Sequence, residues 1–142
     1  MTDQRSLVAA LEAAVHRVLD HLGAELADLG LRQAEINLLA QLQPGAARPV
    51  GELVAATGQR PSTLTGVLDR LERKRLVRRR VNAADRRSFT IELTRSGERA
   101  AARVHAAFAA LDARVRADLP TAATDGFHHV LDALERHTKG TA

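Results

Sequence analysis

Residues 60–97, RPSTLTGVLDRLERKRLVRRRVNAADRRSFTIELTRSG, limit what this chain can become more than any other stretch. Leu64, Val67, Leu68 and Leu71 fall at i, i+3, i+4 and i+7, which predicts one buried stripe on a short amphipathic helix. Two strands follow, over residues 76–81 and 88–93. In the second, Phe89, Ile91 and Leu93 alternate with Thr90 and Glu92, the period of a half-buried strand. The NAADRR link between them is polar and turn-like. Between residues 73 and 87 stand eight Lys/Arg and one acid, Asp85, so this segment carries +7 while the whole chain carries +4. The rest is therefore −3. Basic charge confined to a helix and a hairpin is the footprint of a surface that grips a phosphate backbone.

The residues just upstream give that helix a partner. A short helix over 52–57 buries Leu53 and Val54 and stops at Gly58, a residue suited to the left-handed position after a helix end. Three or four residues then lead to the next helix, which is helix–turn–helix spacing. Pro61 suits its first turn, where a missing N–H costs nothing. At 100° per residue the face opposite the apolar stripe carries Ser62, Gly66, Asp69 and Arg73, flanked by Thr63, Thr65 and Arg70. It is small near the N-terminus and basic near the C-terminus. Small residues let a helix end sink into a major groove about 12 Å wide. Gly66 inside a helix costs up to about 1 kcal/mol against Ala; close approach of a duplex, or a crowded helix contact, would account for it. Arg86 and Arg87 at the hairpin tip are placed to enter a minor groove, unless they form an ordinary solvated tip.

The flanks are helical. Residues 5–29 read as one long helix, with Leu11, Val15, Val18 and Leu22 at steps of four and three, Leu29 seven further on and Leu26 close to the seam, a nearly coiled-coil pattern. Gly30 breaks it. A second helix over 32–42 turns Ile36, Leu39 and Leu42 inward and ends at Pro44-Gly45; Pro49-Val50 forms at most a very short strand. After the hairpin, Thr94 is placed to cap a helix over 95–118. Pro120 ends that helix, and 122–137 form the last one, with Phe127, Val130, Leu131 and Leu134 apolar. The first helix is either a long core helix or an oligomer contact; its length beyond what one small core can cover favours the oligomer contact.

Composition agrees and excludes. Hydrophobic residues are 45% of the chain, much of it Ala and Leu, and aromatics 2%, which favours helices. The absence of cysteine excludes disulfides, thiol redox sensing and thiolate metal sites. No run reaches the ~18 apolar residues of a membrane span, and the N-terminus lacks a signal-peptide layout, so a cytoplasmic protein is expected. A pI of about 10.8 points to a polyanion. No phosphate-binding glycine loop, HExxH or nucleophile-and-base pattern marks an enzyme, and no cofactor is implied. Six histidines leave a metal-responsive protein as an alternative, although adjacent His128 and His129 point to different helix faces. A winged module for nucleoid or protein contacts, without strong sequence preference, is another.

LTGVLDRLERKRLVRR resembles the recognition helix and first wing strand of the MarR family of winged helix–turn–helix regulators. AADRRSFTIELTRSG resembles that family's Asp-x-Arg wing followed by Leu-Thr-x-x-Gly. The resemblance runs over essentially the whole chain. It implies a mainly α fold with a small β wing. The winged helix–turn–helix would span 31–97, and a discontinuous helical dimerisation region 1–30 and 98–142. It further implies a homodimer that binds double-stranded DNA at a palindromic operator, as a repressor, and is released by a small phenolic or anionic effector. Ser62, Thr63, Thr65, Gly66 and Arg70 would approach bases or nearby phosphates, Arg60 and Arg73 would contact phosphates, and Arg86 and Arg87 would reach the minor groove. Asp69 would pair with Arg87 to fix the wing's angle, and Asp85 would brace the wing tip. Two positions depart from the family pattern. Lys74-Arg75-Leu76 replaces a Lys-Gly-Leu junction, which predicts a strained cap, and Asn82 stands where the wing usually begins with an acid.

Overall fold

A computed structural model of the chain describes residues 6–139. In chain order these form α1 (Leu7–Glu25), a 3₁₀ turn (Ala27–Leu29), α2 (Gln33–Leu39), β1 (Arg48–Pro49), α3 (Val50–Thr57), α4 (Pro61–Arg73), β2 (Val77–Val81), β3 (Phe89–Leu93), α5 (Arg95–Ala117) and α6 (Thr121–Thr138). The chain divides into two compact units, residues 1–107 and 108–142. Among the described residues, no helix is long and apolar enough to cross a membrane.

The first unit is built around the helix–turn–helix. The predicted stripe Leu64, Val67, Leu68 and Leu71 is buried, as are Leu22, Leu26, Ile36, Leu39, Leu53 and Ile91, and α4 packs on α2 and β2. Gly58 ends α3 at φ +66°, and Pro61 opens α4 at its first position. The left-handed turn lets two short helices lie three residues apart. β1, β3 and β2 form an antiparallel sheet in that order. Val77 faces Leu93, Arg79 faces Ile91 and Val81 faces Phe89. Burial fades along the hairpin: Val77 and Leu93 are buried, whereas Val81 and Phe89 are 57% and 47% exposed. The tip of the wing therefore lies beyond the core, and Phe89 is not the inward residue that alternation predicts.

Several boundaries differ from the periodicity. The first helix ends at Glu25 rather than near residue 29, because the chain tightens into the 3₁₀ turn before Gly30; residue 5, where the pattern begins, lies outside the described residues. The second helix stops at Leu39, since Gln41 and Leu42 bond three residues back, to Leu38 and Leu39. Arg48 and Pro49 form the short strand, and Val50 already begins α3. Arg103 of α5 holds Asp28 of the 3₁₀ turn through two hydrogen bonds, 2.9 and 3.0 Å long.

The junction between α4 and β2 is the strained point. Arg75 adopts φ +58°, the one non-glycine residue with positive φ among those described. Such a conformation costs a side-chain-bearing residue roughly 1–2 kcal/mol. The Leu-Thr-x-x-Gly motif clamps it. Thr94 Oγ1 donates to Arg75 O at 2.6 Å and accepts from Gly97 N at 3.0 Å, which makes Thr94 the cap of α5. Thr94 N donates to Leu76 O at 3.0 Å. A Cβ on Gly97 would lie 1.7 Å from that same carbonyl oxygen, so only glycine fits.

In urea unfolding, Arg75→Gly should therefore stabilise the protein by about 1 kcal/mol, the strain it removes. Gly97→Ala should destabilise it by at least about 2 kcal/mol, because backbone rather than a flexible side chain must move.

Candidate nucleic-acid interface

α4 presents its outer face on a frame that the core stripe fixes. Arg60 is its N-cap in extended geometry, and no side chain caps the first turn. The leading N–H groups beside exposed Ser62 and Thr63 are thus open to an anion, which the helix dipole also favours. Thr65 Oγ1 donates to Pro61 O at 3.0 Å. Among the described residues, a Cβ on Gly66 would meet only Arg70 Nη1, at an ordinary 3.6 Å, so no crowded contact among them requires this glycine.

The wing is held to α4 by an arginine other than the one expected. Arg79 Nη2 donates to Asp69 Oδ1 at 2.5 Å, reaches Thr65 O at 3.5 Å, and its Nε lies 3.6 Å from Glu72. Arg79 stands on the inward face of β2, with Val77, and so points at α4. The expected Asp69–Arg87 pair is replaced by Asp69–Arg79, because Arg87 sits out in the hairpin turn. There Asp85 does brace the tip. Its Oδ1 accepts from Arg87 N at 3.0 Å, and its carbonyl accepts from Ser88 N and Oγ at 3.0 and 3.1 Å. Asn82 closes the base of the turn, accepting from Ala84 N at 3.0 Å and donating to Ser88 Oγ at 3.2 Å.

Arg70 is also placed differently from the expectation. Its Nε donates to Glu35 Oε1 at 2.9 Å, which turns the guanidinium to the flank of α4 rather than outward. Lys74 Nζ donates to Glu35 Oε2 at 2.7 Å and to Gly30 O at 3.0 Å. Glu35 is fully buried and also accepts from Arg32 N at 3.0 Å. Burial pushes its carboxyl up, but the hydrogen bonds from Lys74, Arg32 N–H and Arg70 outweigh it and hold the group below its ordinary value. On the outward face of the hairpin, Glu92 accepts from both Arg78 and Arg80, the latter at 2.6 Å. The Arg78 hydrogen bond, joined by that of Arg80, lowers the Glu92 carboxyl despite some desolvation.

Charge in space is thus not charge in sequence. Of nine Lys/Arg between residues 70 and 87, Arg70, Lys74, Arg78, Arg79 and Arg80 each face a carboxylate. Among the described residues, no acid pairs with Arg60, Arg75, Arg86 or Arg87, and Arg73 reaches only the Asp69 carbonyl of its own helix, at 3.4 Å. Glu35 had one signal in the sequence, an acid three residues into a helix and able to reach back to its first N–H, but Arg32 is not a capping residue type. Among the described residues, no three His, Asp or Glu side chains gather into a metal-binding group.

A recognition-type helix set by a tight turn and flanked by a three-stranded wing defines a winged helix–turn–helix protein. Residues 29–88 match the profile of the MarR family. The chain is 30% identical over 89 residues to the HTH-type transcriptional repressor MdtR of Bacillus subtilis (strain 168), a match covering 63% of this chain and 57% of that relative's length. It superposes with a TM-score of 0.72 on the transcriptional repressor CouR bound to a 23-mer DNA duplex, at 26% identity and over 92% of each chain. MepR of S. aureus in its DNA-binding conformation shares the fold with a TM-score of 0.84, at 18% identity, over 94% of this chain and 99% of that one. Over its helix–turn–helix and wing the chain is similar to regulators of the MarR family.

A depressed carboxyl at Glu35 has a pH signature. Its contribution to stability is complete above the ordinary value of 4.5 and is lost as pH falls through the lower folded-state value. Glu35→Gln should cost about 2 kcal/mol at pH 7, and its urea midpoint should fall less than the wild type's between pH 5 and the acid limit of folding.

Proposed function

We propose that this chain is a DNA-binding transcriptional regulator rather than an enzyme. It acts as a homodimer that represses by occupying a palindromic operator and is released by a small phenolic or otherwise anionic effector. The observation that carries the reading is the outward face of α4. Uncapped, hydroxyl-bearing at Ser62, Thr63 and Thr65 and bare at Gly66, it stands with Arg60, Arg73, Arg86 and Arg87, which no carboxylate neutralises among the described residues. Ser62, Thr63 and Thr65 meet base edges, Arg60 and Arg73 meet phosphates, and Arg86 and Arg87 enter the minor groove beside them. Repression also fits the named function of MdtR and CouR. The winged domain spans 31–97.

Dimerisation rests on apolar side chains that each unit leaves uncovered. In the first, Leu7, Val8, Val15 and Val18 of α1 are 42–69% exposed; in the second, Val115, Leu119, Phe127 and Leu131 are 36–52% exposed. Such patches mark contact with another chain, and the segments 1–30 and 98–142 supply it. Two-fold symmetry then sets half-sites about 34–36 Å apart, one turn of duplex.

Selection of genomic fragments should recover a discrete inverted repeat; enrichment without one would favour a nucleoid-type module instead. On the recovered site, Arg60→Gln and Arg73→Gln should each flatten the plot of log K against log salt by roughly 0.9 for every phosphate left without its guanidinium. Gly66→Ala should raise fold stability by about 0.5–1 kcal/mol and yet weaken operator binding at least tenfold; binding that survived intact would place the duplex away from this helix. The double variant Val15→Glu, Val18→Glu should sediment as a monomer and lose the operator.

A further inference from the structure

Three carboxylate clamps sit among the cations of the recognition helix and wing, and they are not alike. Asp69 and Glu72, which hold Arg79, have side chains 50% and 46% exposed; Glu92, which holds Arg78 and Arg80, is 23% exposed. Water already competes at those sites, so an arriving phosphate can draw their arginines away at small cost. Glu35 is different. It is sealed from solvent, and its two cations are themselves only 27% and 38% exposed. A phosphate that captured either one would leave part of a buried carboxylate charge without a partner, a strongly unfavourable exchange. Lys74 is anchored twice, since Gly30 O also takes one of its protons.

We propose that Glu35 is a specificity-determining residue, which keeps Arg70 and Lys74 off the DNA backbone and so suppresses binding to arbitrary sequence. This rests on the DNA-binding reading above. Phosphate contacts add affinity without sequence information. A recognition helix with Arg70 and Lys74 free would hold any duplex more tightly and gain little at its own site. The buried acid removes two cations from that indiscriminate term and leaves base contacts from Ser62, Thr63 and Thr65 a larger share of the binding energy. Glu35 touches no DNA; it acts through the two side chains it holds.

The test uses the full chain and two probes, a random-sequence 24-base-pair duplex and the inverted repeat recovered from genomic selection, titrated over a salt series. Glu35→Gln should bind the random duplex more tightly, with a salt slope steeper by up to roughly 0.9 per freed cation in each subunit. The ratio of affinities for the selected site over the random duplex should fall about tenfold. Lys74→Gln should leave the wild-type slope on the random duplex unchanged, because that charge is already withheld, whereas Arg73→Gln should flatten it. Should Glu35→Gln lose stability with no change in slope or ratio, Glu35 is structural only and the proposal is overturned. A slope flattened by Lys74→Gln as by Arg73→Gln overturns it as well, and does so even where Glu35→Gln does not fold. Wild-type protein with no salt-dependent affinity for either duplex would sink the DNA-binding reading itself.

Discussion

A single buried charge ties the C-terminal end of α4 to the start of α2. Glu35 has no water to solvate it, so the carboxylate persists only because three donors converge on it from Lys74, Arg70 and the N–H of Arg32. Those donors belong to two segments. Arg32 and Glu35 form the start of α2, while Arg70 and Lys74 lie one turn apart at the end of α4. The charge is tolerated only while both segments are in place, which makes the arrangement cooperative: a displaced α4 would strip a buried anion of two partners at once. Lys74 extends the link to the Gly30 carbonyl, where the 3₁₀ turn after α1 ends. The first turn of α4, by contrast, is tied by backbone geometry at Gly58 and Pro61 and keeps its donors open. One end of the helix is locked and the other is presented.

The wing inherits its direction from the same end. Between Arg73 and Val77 the chain must turn from helix to strand in three residues, and Arg75 does so in a conformation that side chains avoid. The Thr94 hydroxyl bound to the Arg75 carbonyl, and Gly97 seated against the Leu76 carbonyl, hold that turn from the far side of the hairpin. Residues beyond the hairpin thus stabilise the corner that aims β2, and Arg79 then ties β2 back to Asp69. Junction and ion pair fix two points on one strand, enough to define its angle to α4. The outward pair Arg78–Glu92, with Arg80 on the same acid, stiffens the hairpin itself.

The sequence was legible wherever one periodicity acted alone. The buried stripe of α4, the glycine stop of α3, the Thr94 cap and the Asp85 brace all follow from local rules, because each involves residues a few positions apart. The helix ends near residues 26 and 40 were not legible, because a last turn tightened into i−3 bonding has the same apolar spacing as an α-helical one. Ion pairs were the least visible. Asp69 stands ten residues from Arg79 and eighteen from Arg87, and nothing in the order of residues says which strand position faces the helix until register is fixed. Arg70 was misplaced for a related reason. A helical wheel puts it at the margin of the exposed face, and only tertiary structure reveals an acid on the inward side of that margin, thirty-five residues away.

This pairing changes what the basic segment can do. Counted along the chain it is a dense cationic stripe; folded, and with Arg60 included, it offers five guanidiniums without a carboxylate partner among the described residues, those of Arg60, Arg73, Arg75, Arg86 and Arg87. If each met one phosphate, a single winged unit would have a salt slope of only about 4 to 5, the behaviour of a weak, easily displaced binder at physiological ionic strength. Two units held together double that slope, and because the second engages from a fixed distance, its contribution enters as an effective concentration rather than as a separate encounter. On the proposed reading, the uncovered apolar faces of α1 and α6 are therefore not incidental to recognition. On that reading a module that gives up five of nine basic side chains to internal pairs binds firmly only with a second copy, and a rigid second copy at one fixed spacing is itself a sequence filter.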